Sequence, residues 1–251
     1  MKQHGLKKIV SYPLSVVFCV GFFIVLLLFH VLQWLALQFS TRKTHENIIA
    51  LLNRTLLGLT PILASTFTER NTLNINTEKQ YIVVSNHQSL LDIPLLAWYL
   101  RKLSVKFIAK KELGKGIPSV SYNLRNGHNL LIDRKEPRQA VSEIVQYAKT
   151  TLKTHKYSVV IFPEGTRSRD GNPKPFATTG VKLLCKSLPD AYILPVTIHN
   201  SWKLTPYKKF PLGLFFSLEL EYHPPMAINS QPIDTLLTQV EKQITSTLKH
   251  S

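Results

Sequence analysis

The apolar positions of this chain fall into two regimes. From Ile9 to Phe39 the sequence "IVSYPLSVVFCVGFFIVLLLFHVLQWLALQF" holds no charged residue, only a lone His30. As a helix it would run for about 45 Å, against the ~30 Å of a bilayer core. A cleavable leader would show a short apolar stretch of about 7–15 residues and an A-x-A-like site. Neither is found, so the segment is expected to be retained at a membrane. Pro13 and Gly21 could break the run, so a dip into one leaflet and a full crossing both fit. Basic residues on both sides (Lys2, Lys7 and Lys8 before, Arg42 and Lys43 after) do not choose between them. Residues 46–67 are apolar at helical spacing, with Ile49, Leu52, Leu56 and Leu59 on one face. They form either a second anchoring helix or a core helix.

Beyond Asn71 the pattern changes to short β-branched runs alternating with longer amphipathic ones. Strands are expected at 81–85, 105–109, 129–133, 158–162, 192–198 and 216–222. Helices are expected at 137–153 and 233–249, where apolar residues recur every three or four positions. Such alternation argues an α/β fold: a mixed, largely buried β-sheet flanked by helices, behind an N-terminal anchoring segment. The expected division is residues 1–70 for the anchor and 71–251 for the α/β domain.

Charge adds a partner. The chain carries 31 basic and 15 acidic residues, a net +16; beyond residue 40 the balance is 28 to 15, or +13. Beside an apolar anchor, an anionic lipid surface suits that excess better than nucleic acid, because each surface Lys or Arg contributes roughly 1 kcal/mol there. None of the common nucleic-acid-binding signatures appears. Cys19 and Cys185 make neither a disulfide framework nor a metal set.

The chemistry concentrates in "VVSNHQSLLDIPLL" (83–96), where a strand runs through Asn86 and His87 into a helix. On a regular helix, residues five apart point about 140° away from each other. His87 and Asp92 cannot meet on a helix face, but they can meet if His87 sits on the turn and Asp92 in the first helical turn, where Pro94 is tolerated. An aspartate there would fix the imidazole tautomer and leave the other nitrogen as a base. The competing reading makes Asp92 a helix cap, since Ser89-Leu-Leu-Asp92 has the form of a capping box.

A second stretch, "VVIFPEGTRSRDG" (159–171), ends a buried strand at Pro163 and turns through Glu164, Gly165, Thr166 and Arg167. A glycine turn with free N–H groups and an arginine suits phosphate, and it equally suits an ordinary solvated turn. "NGHNLLIDR" (126–134) delivers Asp133 and Arg134 to a strand end, with an ion pair as the plain alternative. "FIAKKELGKGIP" (107–118) is basic and glycine-containing but lacks the spacing of a nucleotide phosphate loop.

Together these stretches resemble the glycerolipid acyltransferases, most closely the bacterial 1-acyl-sn-glycerol-3-phosphate acyltransferases. Asn86-His87 with Asp92 is similar to that family's Asn-His-x-x-x-x-Asp motif. "GHNLLIDR" (127–134) is similar to the second motif, with one residue more than its shorter form. "FPEGTRS" (162–168) matches the third, and "ILPVTI" (193–198) resembles the fourth. The resemblance covers roughly residues 80–200. It implies a glycerol-phosphate-acyltransferase-like fold and a bacterial inner-membrane enzyme with its catalytic domain facing the cytoplasm. The implied reaction moves a fatty acyl group from acyl-CoA or acyl carrier protein to the 2-hydroxyl of lysophosphatidic acid. In that reading His87 is the base and Asp92 its partner. Gly165, Thr166, Arg167 and Arg134 hold the acceptor phosphate, Lys110 adds a contact, and Glu164 keeps a family position without a derived role. Asn86 and Pro163 support the motifs, and no cofactor or metal is called for.

Three other classes remain in view: an acyltransferase for a different lysolipid, a serine hydrolase, and a non-enzymatic basic protein that binds membrane or nucleic acid. The hydrolase lacks any G-x-S-x-G elbow. The non-enzymatic readings leave the His-Asp spacing without a purpose.

Overall fold

The computed structural model describes residues 2–248. In chain order its elements are α1 (Lys2–Phe39), α2 (Arg42–Leu57), β1 (Thr66–Glu69), β2 (Tyr81–Ser85), α3 (Asp92–Tyr99), β3 (Lys106–Lys110), α4 (Val120–Asn126) and β4 (Leu130–Ile132). They continue with α5 (Pro137–Tyr147), α6 (Lys153–His155), β5 (Val159–Ile161), α7 (Thr179–Ser187), β6 (Tyr192–His199), β7 (Ser217–Tyr222), β8 (Met226–Ala227) and α8 (Ile233–Ser246). All six expected strands are present, each within two residues of its expected ends. The two that the pattern did not mark, β1 and β8, are four and two residues long. Runs that short show no alternation to read. The expected helix at 137–153 is one helical run with a π turn at Ala148–Leu152 between α5 and α6. The helix expected to reach 249 is described to Ser246, and residue 249 lies outside the described residues.

The sheet runs β1-β7-β6-β2-β5-β3-β4, with β8 on β6. Strands β6, β2, β5, β3 and β4 are mutually parallel, and β7 joins β6 antiparallel. β1 pairs parallel to β7, so Thr66–Glu69 belong to the sheet although they precede the expected boundary at residue 70. Every residue of β2 is buried, as a strand flanked on both edges and covered on both faces must be. Its side chains alternate between two cores. Tyr81 and Val83 face the layer that includes Leu57, Leu95 and Leu96; Ile82 and Val84 face Ile144, Leu184 and Val240. Burial of each such side chain contributes about 1.5–3 kcal/mol.

α1 is continuous through Pro13 and Gly21, so the run does not break and return. One stripe of it is buried: Ser11, Ser15, Phe18, Leu26, Phe29, Gln33 and Ala36, at spacings of three and four with one gap bridged by the half-buried Phe22. The stripe is pinned by polar contacts at both ends. Leu212 N–H donates to Ser15 Oγ at 2.8 Å, and Ser119 N–H donates to His30 Nδ1 at 3.1 Å. α2 packs against α1 through Leu52 and Leu56, against Leu26 and Phe29. Of the four residues expected on its face, Leu52 and Leu56 are buried and Ile49 and Leu59 partly so.

Candidate active site

The parallel strands bring their carboxyl ends to one edge, the position at which open α/β sheets form their binding crevices. Lys110 ends β3 there, and the segments that leave β2, β4 and β5 carry His87, Arg134 and Arg167. These four side chains, with Pro163, Gly165 and Thr166, line a groove of about 2260 Å³. Its apolar wall comes from Phe22, Leu26, Leu52, Leu56, Ile93 and Ala97 of α1, α2 and α3.

The turn after β2 explains why the sequence puts Asn86 and His87 there. The β2–β6 ladder ends at Ser85 opposite Val196. Asn86 extends it with its side chain: Nδ2 donates to Ile198 O at 2.9 Å, and Ile198 N–H donates to Oδ1 at 2.8 Å. His87 then leaves the sheet with both main-chain groups held. Its N–H donates to Glu164 Oε1 at 2.8 Å, and its carbonyl accepts from Ser168 N–H at 2.8 Å and Ser168 Oγ at 3.1 Å. The ring stacks on Phe162, with centroids 4.2 Å apart and planes at 19°.

His87 Nδ1 lies 2.7 Å from Asp92 Oδ2. The same oxygen accepts from the N–H groups of Gln88 (2.6 Å) and Ser89 (2.9 Å), and Asp92 is fully buried. Asp92 is therefore in contact with both the turn and the imidazole. It ties down the turn, as half of a capping box would, and it faces the imidazole. It is not the N-cap, which is Leu91. Because Oδ2 accepts, Nδ1 must carry the proton, which leaves Nε2 as the basic nitrogen on the groove side.

Glu164 receives the role that the sequence left open. Oε1 takes His87 N–H and Oε2 takes Lys174 N–H at 3.0 Å, so its carboxylate braces the histidine turn against the chain beyond Arg167. Burial pushes its pKa above the ordinary carboxylate value, against the pull of those two N–H donors. Gly165 takes φ +69°, a conformation that favours glycine, and its carbonyl accepts from Arg134 Nη1. Thr166 Oγ1 accepts from Lys174 Nζ at 2.6 Å. Pro163 is buried and its carbonyl accepts from Ala177 N–H at 2.9 Å. Partial desolvation lowers the pKa of Arg167; the Asp92 charge raises it and Arg169 lowers it again. The guanidinium stays charged regardless. Asp133 does not pair with Arg134: its Oδ1 accepts from Lys135 N–H instead.

Sequence reading missed Ser201. It lies 109 residues from Asp92, in a short turn after β6, and its hydroxyl donates to Asp92 Oδ1. Nothing local marks a serine in such a turn. Among the described residues no group of three or more His, Cys, Asp or Glu is placed to hold a metal.

Comparison with known proteins gives the family and the fold. An acyltransferase family model matches residues 66–199, just over half the chain. The 1-acyl-sn-glycerol-3-phosphate acyltransferase of Limnanthes douglasii is 29% identical over 162 residues, covering 64% of this chain and 55% of that protein. The Helicobacter pylori protein of the same name is 36% identical over 132 residues, 51% of this chain and 54% of that one. The Pseudomonas aeruginosa protein is 30% identical over 162 residues, 63% and 60%. The chain thus spans a little over half the length of these curated relatives. In fold it is similar to the crystal structure of the 1-acyl-sn-glycerophosphate (LPA) acyltransferase PlsC from Thermotoga maritima. The TM-score is 0.76 at 24% identity, over 93% of this chain and 94% of that one. The matched segment holds Asn86, His87, Asp92 and the whole of the 162–168 turn, and this chain belongs to the acyltransferase family.

Proposed function

We propose that this chain transfers a fatty acyl group from an acyl thioester, of coenzyme A or acyl carrier protein, to the 2-hydroxyl of 1-acyl-sn-glycerol-3-phosphate, forming phosphatidic acid. The observation that carries the reading is the Asp92-held His87 in a largely apolar groove that Arg134, Arg167 and Lys110 also line. The relatives' names supply the acceptor. His87 Nε2 takes the hydroxyl proton while the alcohol oxygen attacks the thioester carbonyl. The tetrahedral intermediate then collapses, the C–S bond breaks, and the imidazolium returns its proton to the departing thiolate. General-base help of this kind contributes ~10²–10⁴-fold. The three cations suit the acceptor's phosphate, Arg134 and Arg167 by their planar forks. Incubation with radiolabelled acyl thioester and lysophosphatidic acid should give labelled phosphatidic acid; labelled free fatty acid alone would argue for a hydrolase instead.

Arg167→Ala should raise KM for the phosphorylated acceptor by about tenfold or more, the size of one charge-assisted hydrogen-bond loss, with the donor KM within twofold. Kinetics with each substrate varied separately measure this. A rise confined to the donor would reverse the assignment.

The same proposal makes the N-terminal helices the membrane anchor and the sheet, with Thr66–Glu69 included, the catalytic unit. Within Leu6–Phe39, α1 reaches a mean hydropathy of 2.8 over an 18-residue window, enough by length and composition to cross a membrane. Its buried stripe runs from Ser11 to Ala36, a rise of about 38 Å, longer than the ~30 Å bilayer core. A helix tied to the catalytic domain at both Ser15 and Gln33, and packed on α2 between them, cannot also be surrounded by lipid as it crosses. We infer that it lies in the plane of one leaflet, with Val17, Val20, Leu28 and Val31 toward the acyl chains and basic residues near the headgroups at both ends. Val20→Asp with Leu28→Asp, both exposed positions, should cut co-sedimentation with lipid vesicles at least tenfold and leave the melting temperature unchanged. Unchanged co-sedimentation would remove α1 as the anchor.

A further inference from the structure

We propose that Ser201 is a positioning residue for the His87–Asp92 pair, its hydroxyl fixing the rotation of the Asp92 carboxylate. The catalytic consequence rests on the acyl-transfer reading above; the geometric one does not.

The hydrogen bonds around Asp92 have only one consistent direction. An ionised carboxylate only accepts, so Ser201 must spend its single proton on Oδ1. Ser89 Oγ, bonded to Ser201 Oγ, must therefore be the donor in that pair. Ser89 Oγ in turn accepts from Leu91 N–H at 3.0 Å. The result is a directed chain, Leu91 N–H to Ser89, Ser89 to Ser201, Ser201 to Asp92. Ser89, Ser201 and Asp92 are all buried, with Ser201 and Asp92 at 0% exposure.

The two carboxylate oxygens are unequally loaded. Oδ2 takes His87 Nδ1–H and two main-chain N–H groups, whereas Oδ1 takes Ser201 alone. The terminal torsion of an aspartate is soft and roughly two-fold. Without the Ser201 hydroxyl, rotation that draws Oδ1 toward the turn meets little opposition, and the Oδ2 lone pair loses its alignment with His87. Ser201 is well placed to resist this, because it stands just beyond the end of β6 that Asn86 clamps to the same turn. Trp202 N–H, donating to Gln88 Oε1 at 3.3 Å, adds a further tie between the two segments.

The test uses the full-length protein in detergent and two readouts. The first is the low-field proton resonance of the His87–Asp92 hydrogen bond, which needs no substrate. In Ser201→Ala it should shift or broaden; an unmoved resonance would overturn the geometric role whatever the enzyme acylates. The second is kinetics. Ser201→Ala should lower kcat about tenfold, the loss expected of one hydrogen bond to a charged group, with both KM values within twofold. In an Asp92→Ala background, where no carboxylate remains to be held, the same change should cost less than twofold more. Fully multiplicative losses would show that Ser201 acts elsewhere. Ser201→Cys, close in size but a weak donor, should behave like Ser201→Ala, so that a cavity alone cannot mimic the effect. A wild-type protein that makes no phosphatidic acid while Ser201→Ala still moves the resonance would defeat the acyl-transfer reading and leave the positioning role standing.

Discussion

His87→Ala should lower the kcat of acyl transfer by roughly 10²–10⁴-fold while the protein stays folded and bound to vesicles. The turn does not depend on the imidazole for its path: its main-chain bonds to Glu164 and Ser168 survive the substitution. What is lost is the stack on Phe162 and one of the four donors to Asp92, a cost of about 1–3 kcal/mol for a buried acceptor losing a partner. A fall of several degrees in melting temperature is therefore expected alongside the collapse of kcat. Vesicle co-sedimentation should match wild type, because α1 lies outside the turn. Activity within tenfold of wild type would exclude His87 as the base.

Much of the site was legible because its residues are carried by local pattern. The β-branched run 81–85, the polar pair after it and Pro94 in the following apolar stretch specify strand, turn and helix. That geometry lets residues 87 and 92 meet, as a regular helix would not. The cations at 110, 134 and 167 each lie at or beyond a strand end, and parallel strands bring such ends together. The order of those strands was not legible. β5 inserts between β2 and β3, and no periodicity in any one strand encodes its neighbour. Long-range polar partners were equally hidden. Glu164 binds the His87 main chain 77 positions away, and Ser201 reaches Asp92 only because β6 lies beside β2. The seating of α1 on the rest of the chain was hidden too, because it involves buried Ser11, Ser15 and Gln33 inside an apolar run. These residues read as minor interruptions until the surfaces they bind are known.

Asp92→Asn separates charge from geometry at this site. Four donors surround the carboxylate, three on Oδ2 and one on Oδ1. An asparagine can meet them in one orientation only. Its carbonyl must take the Oδ2 position, since an NH₂ there would face three N–H donors. Its NH₂ then faces Ser201, whose hydroxyl can reverse to accept from it. Ser89 Oγ must in turn take a proton instead of giving one, which its own hydroxyl rotor allows. The His87 tautomer is thus preserved, and only the negative charge that stabilises the imidazolium disappears. In the serine-protease triad the same swap costs about 10⁴ in kcat because it also selects the wrong tautomer. Here the loss should be smaller, on the order of 10²-fold, with a melting temperature close to wild type. If Asp92 served only to hold the turn, asparagine would serve nearly as well and kcat would barely change. Melting temperature and kcat measured on the same preparation decide it: a large fall in kcat at constant stability supports the charged partner, and a near-wild-type kcat sinks it.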